Sequence, residues 1–332
     1  MSFTVGIPRA LLFYYYYPQW RTFFAHLGVK TVVSRETTRG ILEKGIKSTV
    51  DEACLPIKLA VGHVMDLADR VDYIFLPRII STAPGEYVCP KFLGFPDIVR
   101  NNIEHLPPLI DHNLNLYRKG SSWYNLFYAV GRQFTKNPFR IMRAYQASMV
   151  ALNNHCQDME AGRLPLTALD THHNNRQDRD IAVKDVTIAV IGHPYNIYDR
   201  YISMNMLKRL GDYGAHVVTA DQLPEHVFRR EAEKLPKQLF WTINQRMVGA
   251  ALYYFGQSEI DGLIHVASFG CGPDSMTGEL IERFARKNSH KPLLNLTIDE
   301  HTGEAGMVTR LEAFMDMVRW RRQLDDVAAT YY

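Results

Sequence analysis

"FTVGIPRALLFYYYYPQWRTFFAHLGVKTVVS", residues 3–34, decides the fold. A short apolar run, a loop after Pro8, a stretch of amphipathic spacing that stops at Gly28 and a second apolar run, "KTVVS", read as strand, helix and strand. Such a unit carries two parallel strands joined by a crossover helix. Residues 186–220, "VTIAVIGHPYNIYDRYISMNMLKRLGDYGAHVVTA", repeat the plan with a loop holding Gly192 and Pro194 and a break at Gly214. The likeness lies in the architecture, with little residue identity.

Each unit continues in the same style. After the first come a helix from Thr38, a helical stretch "DEACLPIKLAVGHVMDLADR" and the apolar run "VDYIFLP", which reads as a buried parallel strand. After the second come helices around 223–235 and 241–255, the strand "DGLIHVAS", a helix from about Asp274, the strand "PLLNLTID" and a closing helix over 302–323. The expected fold class is α/β: two similar doubly wound parallel-sheet domains of Rossmann or flavodoxin type, facing a cleft. Residues 1–110 form the first domain, with Cys54 and Cys89, and residues 181–332 form the second, with Cys271.

Residues 111–180 differ in character. Positions 112–157 hold no Asp or Glu but carry Arg118, Lys119, Arg132, Lys136, Arg140 and Arg143 among aromatics, a pattern of helices with one basic face. That face is either simply solvated or a surface for phosphate groups or an acidic partner. The run "DTHHNNRQDRD" at 170–180 reads as a linker, and its His172 and His173 as solvated, because adjacent side chains seldom converge on one ion.

Composition narrows the function classes. A chain of 332 residues exceeds what one core supports, which favours two domains. A net charge of +3 with 22 % charged and 46 % apolar residues describes a globular protein, and argues against nucleic-acid coating and disorder. The N-terminus lacks a signal-peptide pattern and no apolar run approaches the roughly 20 residues of a membrane span, so a cytoplasmic location without membrane contact is expected. Four cysteines, at positions 54, 89, 156 and 271, are too few and scattered for a disulfide framework and are expected as thiols.

In open α/β sheets, ligands sit outside the carboxyl ends of the strands. Cys54, Cys89 and Cys271 fall there on this reading, and each has a proline within two residues: "CLP", "CP" and "GCGP". Proline fixes the local turn, glycine admits backbone N–H groups close to sulfur, and a helix start favours the thiolate. These conditions suit a thiolate-ligated cluster, although a cysteine also serves as a small buried hydrophobe. Cys156, in "ALNNHCQDME", has no such setting and reads as structural. Paired Cys-x2-Cys spacings of zinc ribbons are absent, and nothing in the sequence couples His63, His265 or His301 to one thiol.

"VGIPRALLFYYYYPQW", "DEACLPIK", "YIFLPRI", "EYVCPKFLGFPD" and "SFGCGPDSMTGE" together resemble the 2-hydroxyacyl-CoA dehydratase and benzoyl-CoA reductase superfamily. Within it they look like the branch of acyl-CoA dehydratase activase-related proteins. The resemblance spans both α/β halves and is weakest across the basic segment. It implies a [4Fe–4S] cluster held by Cys54, Cys89 and Cys271, and a partner ATPase of the actin-like class with its own cluster, which delivers low-potential electrons. It further implies a small substrate, an acyl-CoA thioester in the well-studied relatives, and either a related second subunit or a homodimer. The sequence carries no "GxxxxGK[ST]" phosphate loop, so ATP hydrolysis falls to the partner.

Glu52, Lys58, Glu86 and Ser268 are the candidate catalytic groups around these thiols, with Arg78, Lys91, Asp274 and Ser275 nearby. A carboxylate there can move the proton that accompanies reduction, while Glu52 and Asp274 equally suit helix capping. Arg9 and Ala10 follow the first strand, where ligands bind in this architecture, and Tyr14–Tyr17 read as core and cleft wall. The expected function is an iron–sulfur redox component that takes electrons from the activator and passes them to substrate. The alternatives are an accessory or ligand-binding subunit of the same fold and a metal-free thiol enzyme.

Overall fold

The computed structural model describes residues 3–165, 185–288 and 290–330. The expected linker run at 170–180, with His172 and His173, lies outside the described residues. The chain divides into two compact units. Unit 1 is Met1–Met159 with Leu239–Ile243, and unit 2 is Glu160–Gln238 with Asn244–Tyr332.

Unit 1 opens with β1 (Thr4–Ile7), α1 (Phe13–His26) and β2 (Lys30–Val33), as the sequence pattern requires. Gly28, at φ +69°, takes the left-handed conformation that ends α1 and turns the chain into β2. Trp20 and Phe24 of α1 pack edge-on against Phe75 of β3 (Tyr73–Phe75), each at 5.2 Å, which fixes the helix on the sheet. Between β2 and β3 lie α2 (Arg39–Lys47) and α3 (Leu55–Leu67). Thr38 caps α2 by accepting the Ile41 N–H at 3.3 Å.

The run read as a buried strand, "VDYIFLP", holds β3, and its path continues beyond Pro77. β3 ends at Phe75, and a second short strand, β4 (Arg78–Ser81), follows just after Pro77. On the neighbouring side, β5 (Leu109–Ile110) pairs with β3 and β6 (Asn113–Asn115) pairs with β4. Leu76 N donates to Ile110 O at 3.0 Å and Arg78 N to His112 O at 3.1 Å, so the two pieces follow one path. Residues 78–81, expected as the start of a loop, are therefore strand. The remaining helices are α4 (Pro90–Leu93), α5 (Phe95–Asn102), α6 (Trp123–Gly131) and α7 (Pro138–Glu160). The six basic residues of the middle segment are all exposed, and Arg132 and Arg140 donate to backbone carbonyls of Lys136 and His26.

Unit 2 comprises β7 (Val186–Gly192), α8 (Pro194–Ile197), α9 (Met206–Asp212), β8 (Ala215–Thr219), α10 (Glu225–Ala232) and α11 (Thr242–Phe255). It closes with β9 (Gly262–Ser268), α12 (Gly272–Asn288), β10 (Leu293–Ile298) and α13 (Glu304–Thr330). Its strands lie in the order β8-β7-β9-β10, and those of unit 1 in the order β2-β1-β3-β5, with every pairing parallel. The two sheets thus share one topology, that of an open, doubly wound sheet.

The helix pair before the third strand is packed alike in both units. A Cβ on Gly62 of α3 would collide with the Ile41 carbonyl of α2, and one on Gly249 of α11 with the Phe228 carbonyl of α10. Each glycine is the eighth residue of its helix. Absence of a side chain lets the backbones touch and sets the direction in which the N-terminus of the second helix points. Gly62→Ala and Gly249→Ala should each lower stability by about 1–3 kcal/mol through overpacking. Gly211→Ala, which meets nothing within 4 Å on α9, should be neutral or stabilising by up to about 1 kcal/mol in the same urea titration.

Candidate functional site

In unit 2 the site starts where β7 and β9 end. β7 runs out into His193, whose extended backbone precedes Pro194, the fixed first residue of α8. β9 ends at Ser268, and Gly270, at φ +74°, turns the chain so that Cys271 N donates to Ser268 O at 3.1 Å. Helix α12 begins at the next residue and carries Asp274 in its first turn.

Asp274 is fully buried. Its carboxylate accepts from His193 Nε2 at 2.6 Å, from Asn244 Nδ2 at 3.2 Å and from the Ser268 N–H at 3.3 Å. Burial pushes this carboxyl up, but His193, His265 and the Ser268 N–H together hold it below the usual carboxylate range. The expectation that Asp274 caps its own helix is met differently: its partners come from β9, α11 and the loop after β7. Burial likewise pushes the neighbouring His265 imidazole down. Ser268 also donates through Oγ to Asn196 Oδ1 at 2.9 Å.

One ligand atom each of His193, Cys271 and Asp274 lies within 4.8 Å of the other two. His193 is 3 % exposed, its ring stacks on Tyr195 at 4.8 Å, and its Nδ1 has no hydrogen-bond partner among the described residues. Imidazole, thiol and carboxylate in one place are a donor set for borderline transition metals or for proton transfer.

In unit 1, Cys54 is the residue before α3 and Cys89 the residue before α4, with prolines inside the first two helical positions. Neither side chain caps its helix. Cys54 is buried and Cys89 half-buried. Lys91 Nζ donates to the Glu52 carbonyl at 2.5 Å, which ties the loop of Cys89 to the loop of Cys54. A cleft of about 350 Å³ opens beside this tie, lined by Thr49, Glu52, Ile57, Lys91 and Asn101 among others.

The candidate catalytic residues fall into different settings. The Glu52 side chain is exposed and its carbonyl makes the tie. Lys58 and Glu86 are buried in unit 1, and Ser268 is buried in unit 2 beside Asp274. Arg78 is bound by Asp97 at 2.6 Å, which makes it a brace between β4 and α5. Ser275 donates to the Cys271 carbonyl at 3.0 Å. Cys156 is half-buried on α7. Sequence reasoning misses His193 and Asn244. The signal for His193 is its setting, since His-Pro after β7 copies the Cys-Pro at the start of α4; Asn244 has no local signal.

At the carboxyl ends of β1 and β2, the Arg9 N–H donates to Ser34 Oγ at 2.8 Å, Ser34 Oγ meets His63 Nδ1 at 2.9 Å, and His63 Nε2 meets Thr37 Oγ1 at 3.0 Å. Burial, and secondarily Arg9, push the His63 imidazole down to about 3 against the opposing pull of Asp66. His63 is therefore neutral in the folded protein at physiological pH.

Residues 4–223 match the family described as the CoA enzyme activase uncharacterised domain. The chain belongs to that family. No curated protein matches the sequence. The CoA enzyme activase domain takes in Cys54, Cys89 and His193, while Cys271 and Asp274 lie beyond its end. The family description points to an acyl-CoA-related enzyme system that works with partners. Among the described residues no helix is long and apolar enough to cross a membrane.

Two outcomes test the electrostatics. Asp274→Ala leaves His193, Asn244 and the Ser268 N–H without their acceptor and should cost about 3–5 kcal/mol, whereas Ser275→Ala should change stability by no more than about 0.5 kcal/mol, both read by denaturant unfolding. For His63 the folded value lies below the unfolded 6.5, so its contribution is complete above pH 6.5 and is lost as pH falls toward 3. The slope is about 1.4 kcal/mol per pH unit. His63→Gln should flatten the stability profile between pH 6.5 and 5 by about that slope relative to the parent.

Proposed function

We propose that the chain is an iron–sulfur redox component of an acyl-CoA-related enzyme system, in which Cys54, Cys89 and Cys271 ligate a [4Fe–4S] cluster. The observation that carries this reading is the setting of the thiols. All three stand immediately before a helix, beyond the carboxyl ends of parallel strands, and the Lys91–Glu52 tie brings two of their loops together. Side chains in these positions serve ligands in doubly wound folds.

A bound cluster supplies one-electron transfer at low potential. What the chain itself contributes is ligation, shielding and proton handling. Buried Cys54 keeps one ligand away from water. Lys91 holds the two loops of unit 1 in register. Asp274 and His193, hydrogen-bonded beside Cys271, can take up or release a proton as substrate is reduced. The electrons come from an ATP-hydrolysing activator of the actin-like class, and the substrate is a small molecule of acyl-CoA type. Membership of the CoA enzyme activase family supports the CoA part of this reading.

Anaerobic reconstitution tests it. The parent chain and Cys156→Ser should each hold about four irons and four sulfides, reducible by an activator only with ATP. Cys54→Ser, Cys89→Ser and Cys271→Ser should each lose most of that content. Folded protein that stays colourless and iron-free after reconstitution would falsify the reading.

A further inference from the structure

His193, Cys271 and Asp274 all belong to unit 2 and meet there within 4.8 Å. A four-coordinate ion with bonds of about 2.3 Å to sulfur and about 2.0 Å to nitrogen holds its ligand atoms roughly 3.5 Å apart. The three groups stand near that spacing, and an ion would take the place of the proton that His193 Nε2 shares with Asp274. Two further buried atoms in the cluster, His193 Nδ1 and Asn196 Nδ2, have no hydrogen-bond partner among the described residues. A buried polar atom without a protein partner is a place for an ordered water or an ion. Asn244 and the Ser268 N–H already orient Asp274 in the way that outer groups orient a metal-binding carboxylate.

We propose that His193, Cys271 and Asp274 form a binding site for a single divalent transition-metal ion, complete within unit 2. Thiolate with imidazole and one carboxylate suits Zn²⁺ or Fe²⁺ and disfavours Mg²⁺ and Ca²⁺, which take oxygen ligands. Three protein ligands leave a fourth position for water or a substrate oxygen. Loading the ion releases the thiol proton of Cys271 to solvent, and no electron moves. The site does not rest on the iron–sulfur reading, because Cys54 and Cys89 take no part. Cys271 serves one centre at a time, and the single-ion state belongs to the sulfide-free chain.

The test is anaerobic titration of the metal-free, full-length chain with Co²⁺, followed by absorption. One cobalt per chain should bind, with a near-ultraviolet thiolate-to-cobalt band and the visible bands of a four-coordinate ion. Cys271→Ser should abolish the thiolate band, and His193→Gln should weaken binding about 10-fold or more. The Cys54→Ser/Cys89→Ser double variant should keep both the band and the affinity. Circular dichroism establishes that each variant is folded, and Cys271→Ser alters only a half-buried residue. No thiolate band in the parent overturns the proposal, as does a band that survives Cys271→Ser, is indifferent to His193→Gln or disappears in the double variant. Iron and sulfide content reports separately on the proposed cluster, so the two ideas fail independently.

Discussion

A carboxylate with no exposure to solvent is the constraint on which the local architecture of unit 2 rests. An isolated buried charge is strongly unfavourable, so the fold around Asp274 exists only with its donors in place. Those donors come from separate parts of the chain: His193 after β7, Ser268 at the end of β9 and Asn244 at the start of α11. Satisfying one group thus fixes the ends of two central strands and the start of a helix. The same act carries Cys271, three residues before Asp274, to a defined place beside an imidazole.

Unit 1 reaches a related arrangement by other means. Its corresponding helix start is Cys54, and its corresponding loop after the third strand carries Cys89. Here the connection is Lys91 to the Glu52 carbonyl instead of Asn244 to Asp274. Beneath both lies the same glycine device, Gly62 in α3 and Gly249 in α11, which lets two helix backbones meet and aims the N-terminus of the second. The same ends of one topology therefore bear Cys54 and Cys89 in unit 1 and Asn244, Cys271 and Asp274 in unit 2.

Much of this frame is readable from the sequence, for identifiable reasons. The buried parallel strands announce themselves as apolar runs, as in "VTIAVIG" and "DGLIHVAS", and Gly28 marks the end of α1 because it alone takes φ +69° without strain. The strand after Pro77 is not read from the sequence, because a proline is a natural strand end and the polar and glycine-containing stretch after it resembles a loop. Cysteines beside proline are conspicuous, so Cys54, Cys89 and Cys271 stand out. His193 and Asn244 do not, because their importance lies in a carboxylate far along the chain: the register of β7 with β9 brings His193 to it, and Asn244 reaches it from α11. Capping is the natural local reading of Asp274, and tertiary partners override it.

Metal at cysteine-bearing helix starts is the central claim of this account, and anomalous scattering at the iron edge from crystals of anaerobically reconstituted protein tests it most directly. The account predicts iron within bonding distance of the sulfurs of Cys54, Cys89 and Cys271, with none at Cys156. Iron bound elsewhere, or an anomalous map without iron in a folded, reconstituted chain, would contradict it.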